Sequence, residues 1–176
     1  MSDVFYLRPM TPPLSLEGAL QMARDAGSCF HLHRVDWIQS YLAADGGRML
    51  CWYQAPDAES VRIALRQLGA DMSAVWPGTQ TGDEAGTTSA PGDYVVIEYA
   101  LDDAAGRDVL GAVRESLTDT FDRSGLALGR ALTSTDGRRF VCLVRNSDAA
   151  SVADAINSDD DLKPISIWRS FVVLPP

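Results

Sequence analysis

The chain holds two histidines, His31 and His33, both in the stretch CFHLHR that Cys29 begins. Imidazole nitrogen and thiolate sulfur suit nickel, zinc or copper. An H-x-H pair can grip a metal from a strand, where i and i+2 share a face; at the end of a helix the two rings diverge by about 200°. The segment follows a helical pattern and precedes a strand pattern, so both geometries stay open. Glu98 stands in the apolar run YVVIEYAL. In a buried strand a carboxylate requires a partner, a metal or a proton, whereas on a wet edge it requires none. His31, His33 and Glu98 are therefore the candidate metal ligands. The aromatic residues Tyr6, Trp37, Tyr41, Trp52 and Tyr53 cluster around one hairpin and the first strand. Tyr6, Trp37 and Tyr53, with Glu98, are the candidate contacts to a small organic ligand. Core packing is the ordinary role of such rings. Alternation places Met49, Cys51 and Tyr53 on one strand face and Arg48, Leu50 and Trp52 on the other, without saying which face meets the helices.

Composition narrows the chemistry. A formal charge of −9, from 24 acids against 15 scattered bases, disfavours nucleic acid, which needs clustered Lys and Arg. No run approaches the roughly 18 apolar residues that cross a bilayer, and the start MSDVFYLRPM lacks the basic and apolar regions of a secretion signal, so a cytoplasmic protein with no membrane partner is expected. Three cysteines without CxxC spacing suggest reduced thiols. Cys29, close to His31 and Arg34, is the candidate reactive thiol of the three. GxGxxG, Walker A, GxSxG and HExxH patterns are missing, so nucleotide-cofactor, P-loop, hydrolase-triad and zincin chemistry have no support.

The elements that must position these groups are written twice. DGGRMLCWYQAPDAESV, from Asp45, recurs in blurred form as DGRRFVCLVRNSDAASV, from Asp136, an offset of 136 − 45 = 91 residues. Nine of the twenty positions 45–64 are identical at that offset, where about one or two are expected by chance. Each half reads strand, helix, hairpin, helix, strand. The strands of the first half are expected near 3–10, 37–43, 49–54 and 73–76, and those of the second near 94–101, 126–132, 140–145 and 165–174. Asp45-Gly46 and Asp136-Gly137 supply the positive φ of tight hairpin turns. Ser15, Asp57, Asp103 and Asp148 are placed to cap helices, and Gly69 to stop one. This β-α-β-β-α-β order, twice, predicts an α+β fold of two tandem ferredoxin-like repeats, residues 1–76 and 94–176, joined by a Gly/Thr/Pro-rich linker over 77–93. Two such sheets are expected to cover each other as a pseudo-dimeric α+β barrel.

WIQSYLAADGGRMLCWYQAPDAESVRIALRQLG, from Trp37 to Gly69, resembles a small bacterial domain family of largely unknown function. Its pattern is W-x-x-S-Y, a short turn, a basic residue, Cys, an aromatic, A-P-[DN] and then V-R. Some members bind nickel, and the family is ferredoxin-like and dimeric. VIEY, from Val96, is similar to the family's first strand, V-I-E-R. The resemblance implies a covalently fused dimer, possible homodimerisation of the fused chain, and nickel or another divalent metal as cofactor. Where members often carry His two residues after the Trp, this chain has Gln39; the first-strand Glu is Leu7 in the first half and Glu98 in the second.

Two classes of function follow. One is a non-catalytic binding protein that holds a transition metal or small ligand in a cleft between the repeats. The other is a cofactor-independent α+β barrel enzyme using a His or Glu as acid/base on a small organic substrate.

Overall fold

The computed structural model describes residues 1–72, 74–82, 93–100, 107–145, 148–157 and 164–175. Twelve elements follow one another: β1 (Ser2–Pro9), α1 (Leu16–Leu32), β2 (Asp36–Ala43), β3 (Arg48–Ala55), α2 (Ala58–Gln67), β4 (Val75–Gly82), β5 (Asp93–Ala100), α3 (Arg107–Arg123), β6 (Leu128–Ser134), β7 (Arg139–Arg145), α4 (Ala149–Asn157) and β8 (Ser166–Val173). The fold is α+β; in the first unit the strands run in the antiparallel order β4-β1-β3-β2, and in the second β7 lies between β5 and β6, antiparallel to both. The chain divides into two compact units, one of residues 1–78 with 171–176 and one of residues 79–170. β4 continues past Trp76 to Gly82, into the stretch read from sequence as linker, because Thr79 and Thr81 alternate as a strand requires. Residues 83–92, the rest of that stretch, lie outside the described residues, as does the expected cap Asp103.

In the first unit β1 pairs antiparallel with β3, Val4 opposite Tyr53 and Tyr6 opposite Cys51, and also with β4. β2 pairs with β3 through a bulge between Trp37 and Gln39. In the second unit β5 pairs with β7, Val95 opposite Val144 and Ile97 opposite Cys142, and β6 carries a bulge between Leu128 and Arg130. These pairings superimpose on those of the first unit at the offset of 91.

Local chemistry sets the element ends. Ser15 accepts the Gly18 N–H at 3.1 Å and Asp57 accepts that of Ser60 at 2.7 Å. Asp148 accepts from Ala150 and Ser151 at 2.8 and 3.1 Å. These bonds satisfy N–H groups that have no partner within their own helix. Gly46 and Gly137 close their hairpins at φ of 71° and 70°. At Gly46 a Cβ would also collide with the Leu14 carbonyl oxygen, so the turn admits glycine alone.

Each unit has its own core between sheet and helices. In the first, Val4, Tyr6, Met49, Cys51 and Tyr53 face α1 and α2, meeting Phe30, Val61 and Leu65. Leu50 and Trp52 lie on the opposite face with Phe5, buried but outside that core. This settles the two faces of β3. In the second unit Val95, Ile97, Phe140, Cys142 and Val144 meet Leu117, Phe121, Val152 and Ile156.

Candidate functional site

A cavity of about 400 Å³ opens in the first unit between the helix-facing side of the sheet and helices α1 and α2. That volume lies within the range of small-molecule sites, about 300–1,000 Å³. β1 contributes Arg8, β2 contributes Trp37 and Ser40, and β3 contributes Met49, Cys51 and Tyr53. The helices close the other side with Ala19, Met22, Ala26, Phe30 and Leu65. The opening depends on small residues: Ala19 and Ala26 sit on the buried face of α1, where larger side chains would reach the sheet. Phe30 packs edge-on against Tyr53, ring centroids 5.3 Å apart.

A thread of polar groups crosses this apolar lining. Trp37 Nε1 donates to Ser40 Oγ at 2.8 Å, Ser40 bonds the Cys51 thiol, and that thiol meets the Tyr53 hydroxyl. Burial pushes the Cys51 thiol and, more strongly, the Tyr53 phenol above their ordinary values. The positive charge of Arg8 opposes both shifts without cancelling either, so thiol and phenol stay protonated at neutral pH.

Arg8 is the cation of the site. Its guanidinium lies 5.4 Å from the centroid of the Tyr6 ring, and Nη2 points at Met22 Sδ. Nε is buried with no hydrogen-bond partner. The one acid of the lining, Asp25, is exposed at the mouth, where it accepts from the Gln21 amide at 2.8 Å.

Of the residues singled out from sequence, Trp37 and Tyr53 line this cavity. Tyr6 lies beneath Arg8, its hydroxyl bonded to the Asp71 carbonyl. His31 occupies the last turn of α1 and is exposed, and His33 is the residue that ends the helix. This is the helical geometry, in which the two rings diverge. His31 borders a second, more open depression with Phe30, Val35 and Trp37. His33 Nε2 lies 3.0 Å from Gln67 Oε1, which also accepts from Cys29 Sγ at 3.2 Å. Glu98 belongs to the second unit, buried on the β5 face turned away from its helices. Its Oε1 accepts from Ser166 Oγ at 2.8 Å and Trp168 Nε1 at 2.5 Å. Those donors are the partners that a buried carboxylate requires. Among the described residues no three His, Cys, Asp or Glu side chains gather as a metal set.

Sequence reasoning passed over Arg8, Met22 and Ser40. The signal was available by carrying the offset of 91 outside the repeated stretch: Arg8 aligns with Tyr99, Met22 with Val113 and Ser40 with Ala131.

Most of this lining falls inside a recognised segment. Residues 11–77 match the family model described as Nickel responsive protein SCO4226-like. The SCO4226-like segment spans α1 to β4 and leaves Arg8 and Tyr6 just outside it. No curated protein matches the chain. Among solved structures, a mutant chlorite dismutase from Candidatus Nitrospira defluvii is similar over 98% of this chain and 92% of its own, with TM-score 0.52 and 11% identity. The chlorite dismutase candidate TA0507 is similar over 98% and 94%, with TM-score 0.51 and 14% identity. At such identities the likeness is one of fold. No helix among the described residues is long and apolar enough to cross a membrane.

Proposed function

We propose that this chain is a non-catalytic binding protein that holds a small organic molecule in the cavity of its first unit. The reading rests on one observation, a cavity of about 400 Å³ with apolar walls and a few convergent polar groups. It lies inside the first unit, whereas sequence alone pointed to a cleft between the two halves. The enzyme reading calls for a His or Glu as acid/base. The described lining offers instead a guanidinium, a hydroxyl, and a thiol and phenol that burial keeps protonated. The halves are read as two ferredoxin-like repeats fused into an internal pseudo-dimer, in keeping with their common element order and strand register. Calorimetric titration with 1-octanol tests the binding reading. Saturable uptake that is lost in Ala26→Leu, which puts a larger side chain into the cavity, is expected. A wild-type protein that takes up no 1-octanol contradicts it.

A metal-binding reading is favoured separately by the SCO4226-like match. His31, His33 and Glu98 are its candidate ligands. The convergence of Cys29 and His33 on Gln67 brings two metal-compatible groups together, fewer than a closed nickel site needs. Metal analysis of untagged protein, then nickel titration of wild type, His31→Ala, His33→Ala and Glu98→Ala, tests it. Nickel binding that a substitution weakens supports this reading, and no bound metal with no titration heat contradicts it.

A further inference from the structure

We infer that the ligand of the first-unit cavity is an amphipathic monocarboxylate, its carboxylate on Arg8 and its apolar body along Met22, Phe30, Trp37, Met49 and Leu65. This inference rests on the small-molecule reading above and specifies the ligand class.

Arg8 puts a half-buried charge on an apolar face. Arg8 stands on the helix-facing side of β1, opposite Met49 and in line with Val4 and Tyr6, a position that packing would give to an apolar residue. The second unit does so: the aligned residue is Tyr99, which packs against Phe140 within the core. A guanidinium in apolar surroundings is costly unless it is paired and hydrogen-bonded. Arg8 is half-buried: its side chain hydrogen-bonds the Tyr6 hydroxyl, on which Asp71 also acts, and its other neighbours are a thioether, a thiol and the Tyr53 phenol, none of them an anion at neutral pH. Arg8 Nε is buried without an acceptor. The guanidinium fork presents parallel N–H donors that match a carboxylate. A single guanidinium balances a single negative charge, which selects a carboxylate over a phosphate dianion. Asp25, exposed at the mouth, disfavours a second acidic group at the outer end of the ligand. The remaining lining is almost wholly apolar, so the body of the ligand is aliphatic or aromatic.

Titration with octanoate, 1-octanol and octylamine, using wild type, Arg8→Met and Arg8→Lys, tests the inference. Wild type is expected to bind octanoate best and octylamine worst, with octanoate affinity falling as salt rises. Arg8→Met is expected to weaken octanoate about 10- to 100-fold while leaving 1-octanol nearly unchanged. Arg8→Lys should recover part of the octanoate affinity. The ligand-free Arg8→Met protein should melt close to wild type, because an apolar side chain replaces a half-buried charge on an apolar face. A purely structural Arg8 would instead lower the melting temperature and affect both ligands alike. Equal octanoate binding by wild type and Arg8→Met overturns the inference while 1-octanol binding keeps the cavity reading intact. Failure of both ligands to bind wild type overturns the cavity reading and the inference with it.

Discussion

The space between sheet and helices is built in the same register in both units but filled differently. Where the first unit places Arg8, Ala26, Trp37, Ser40 and Tyr53, the second places Tyr99, Leu117, Leu128, Ala131 and Val144 at the offset of 91. Leu117 and Val144 are fully buried in an apolar cluster. The first set leaves a cavity with a cation in it. The two units thus share their Asp-Gly hairpin turns and the caps of α2 and α4, while the residues between sheet and helices differ. Such a difference fits the general cost of binding sites, which keep polar and void features that an optimised core would remove.

The largest expected contrast lies in the aromatic anchors of α1 and α3. Phe121 is fully buried, so Phe121→Ala is expected to cost about 3–5 kcal/mol. Phe30, its counterpart, already borders a void, and Phe30→Ala should cost less. Urea denaturation of both variants measures the difference; equal losses would mean that the first unit is packed as tightly as the second.

The paired cysteines give the next contrast. Cys51 has Ser40 and Tyr53 as polar neighbours, so Cys51→Ser should cost under about 1 kcal/mol. Cys142 sits in the apolar core of its unit, where burial drives its thiol far above the usual range. Cys142→Ser should cost about 2 kcal/mol for the buried hydroxyl. The same denaturation assay reads both, and the reverse order would break the comparison.

Ala26→Leu makes the first unit resemble the second, where Leu117 stands. Filling the void is expected to change stability by less than about 1 kcal/mol while abolishing uptake of 1-octanol. A penalty of about 1–3 kcal/mol, the usual cost of overpacking, would show that the cavity is not open in solution.

The smallest effect is one the two units share. Hydrogen bonds from the first turns of α2 and α4 hold the Asp57 and Asp148 carboxyls below the ordinary 3.8. A depressed folded-state pKa contributes stability that is present above the unfolded value and lost as pH falls through the folded one. Asp57→Ala and Asp148→Ala should therefore lower the melting temperature slightly at pH 7, with the gap to wild type closing below pH 4. A gap that persists in acid would assign the loss to something other than the ionised cap.

How much of this was legible in the sequence depended on whether the signal was local. The Asp-Gly hairpins and the Ser15, Asp57 and Asp148 caps were readable, because each depends on residues within four positions of one another. The doubled order of elements was readable from the offset of 91. The faces of β3 were not, since alternation fixes which residues share a face but not which element covers it. His31 and His33 were undecided for a similar reason: the end of α1 falls between them, and that boundary decides whether their rings share a face. Glu98 read as a residue in need of a partner, but its donors Ser166 and Trp168 come from β8, some 70 residues away, beyond any sequence pattern. Arg8 escaped notice because an arginine near the end of a strand ordinarily reaches water. Only the fold shows it turned onto the helix-facing side, over Tyr6 and beside Met22.

Nuclear magnetic resonance titration of ¹⁵N-labelled protein with octanoate tests most directly whether the first-unit cavity takes up a ligand. Saturable shifts centred on Arg8, Met22, Trp37, Ser40 and Tyr53 are expected, with the aligned Tyr99, Val113, Leu128, Ala131 and Val144 unmoved. Shifts centred on the second set, or no saturable shifts at all, would contradict the cavity reading.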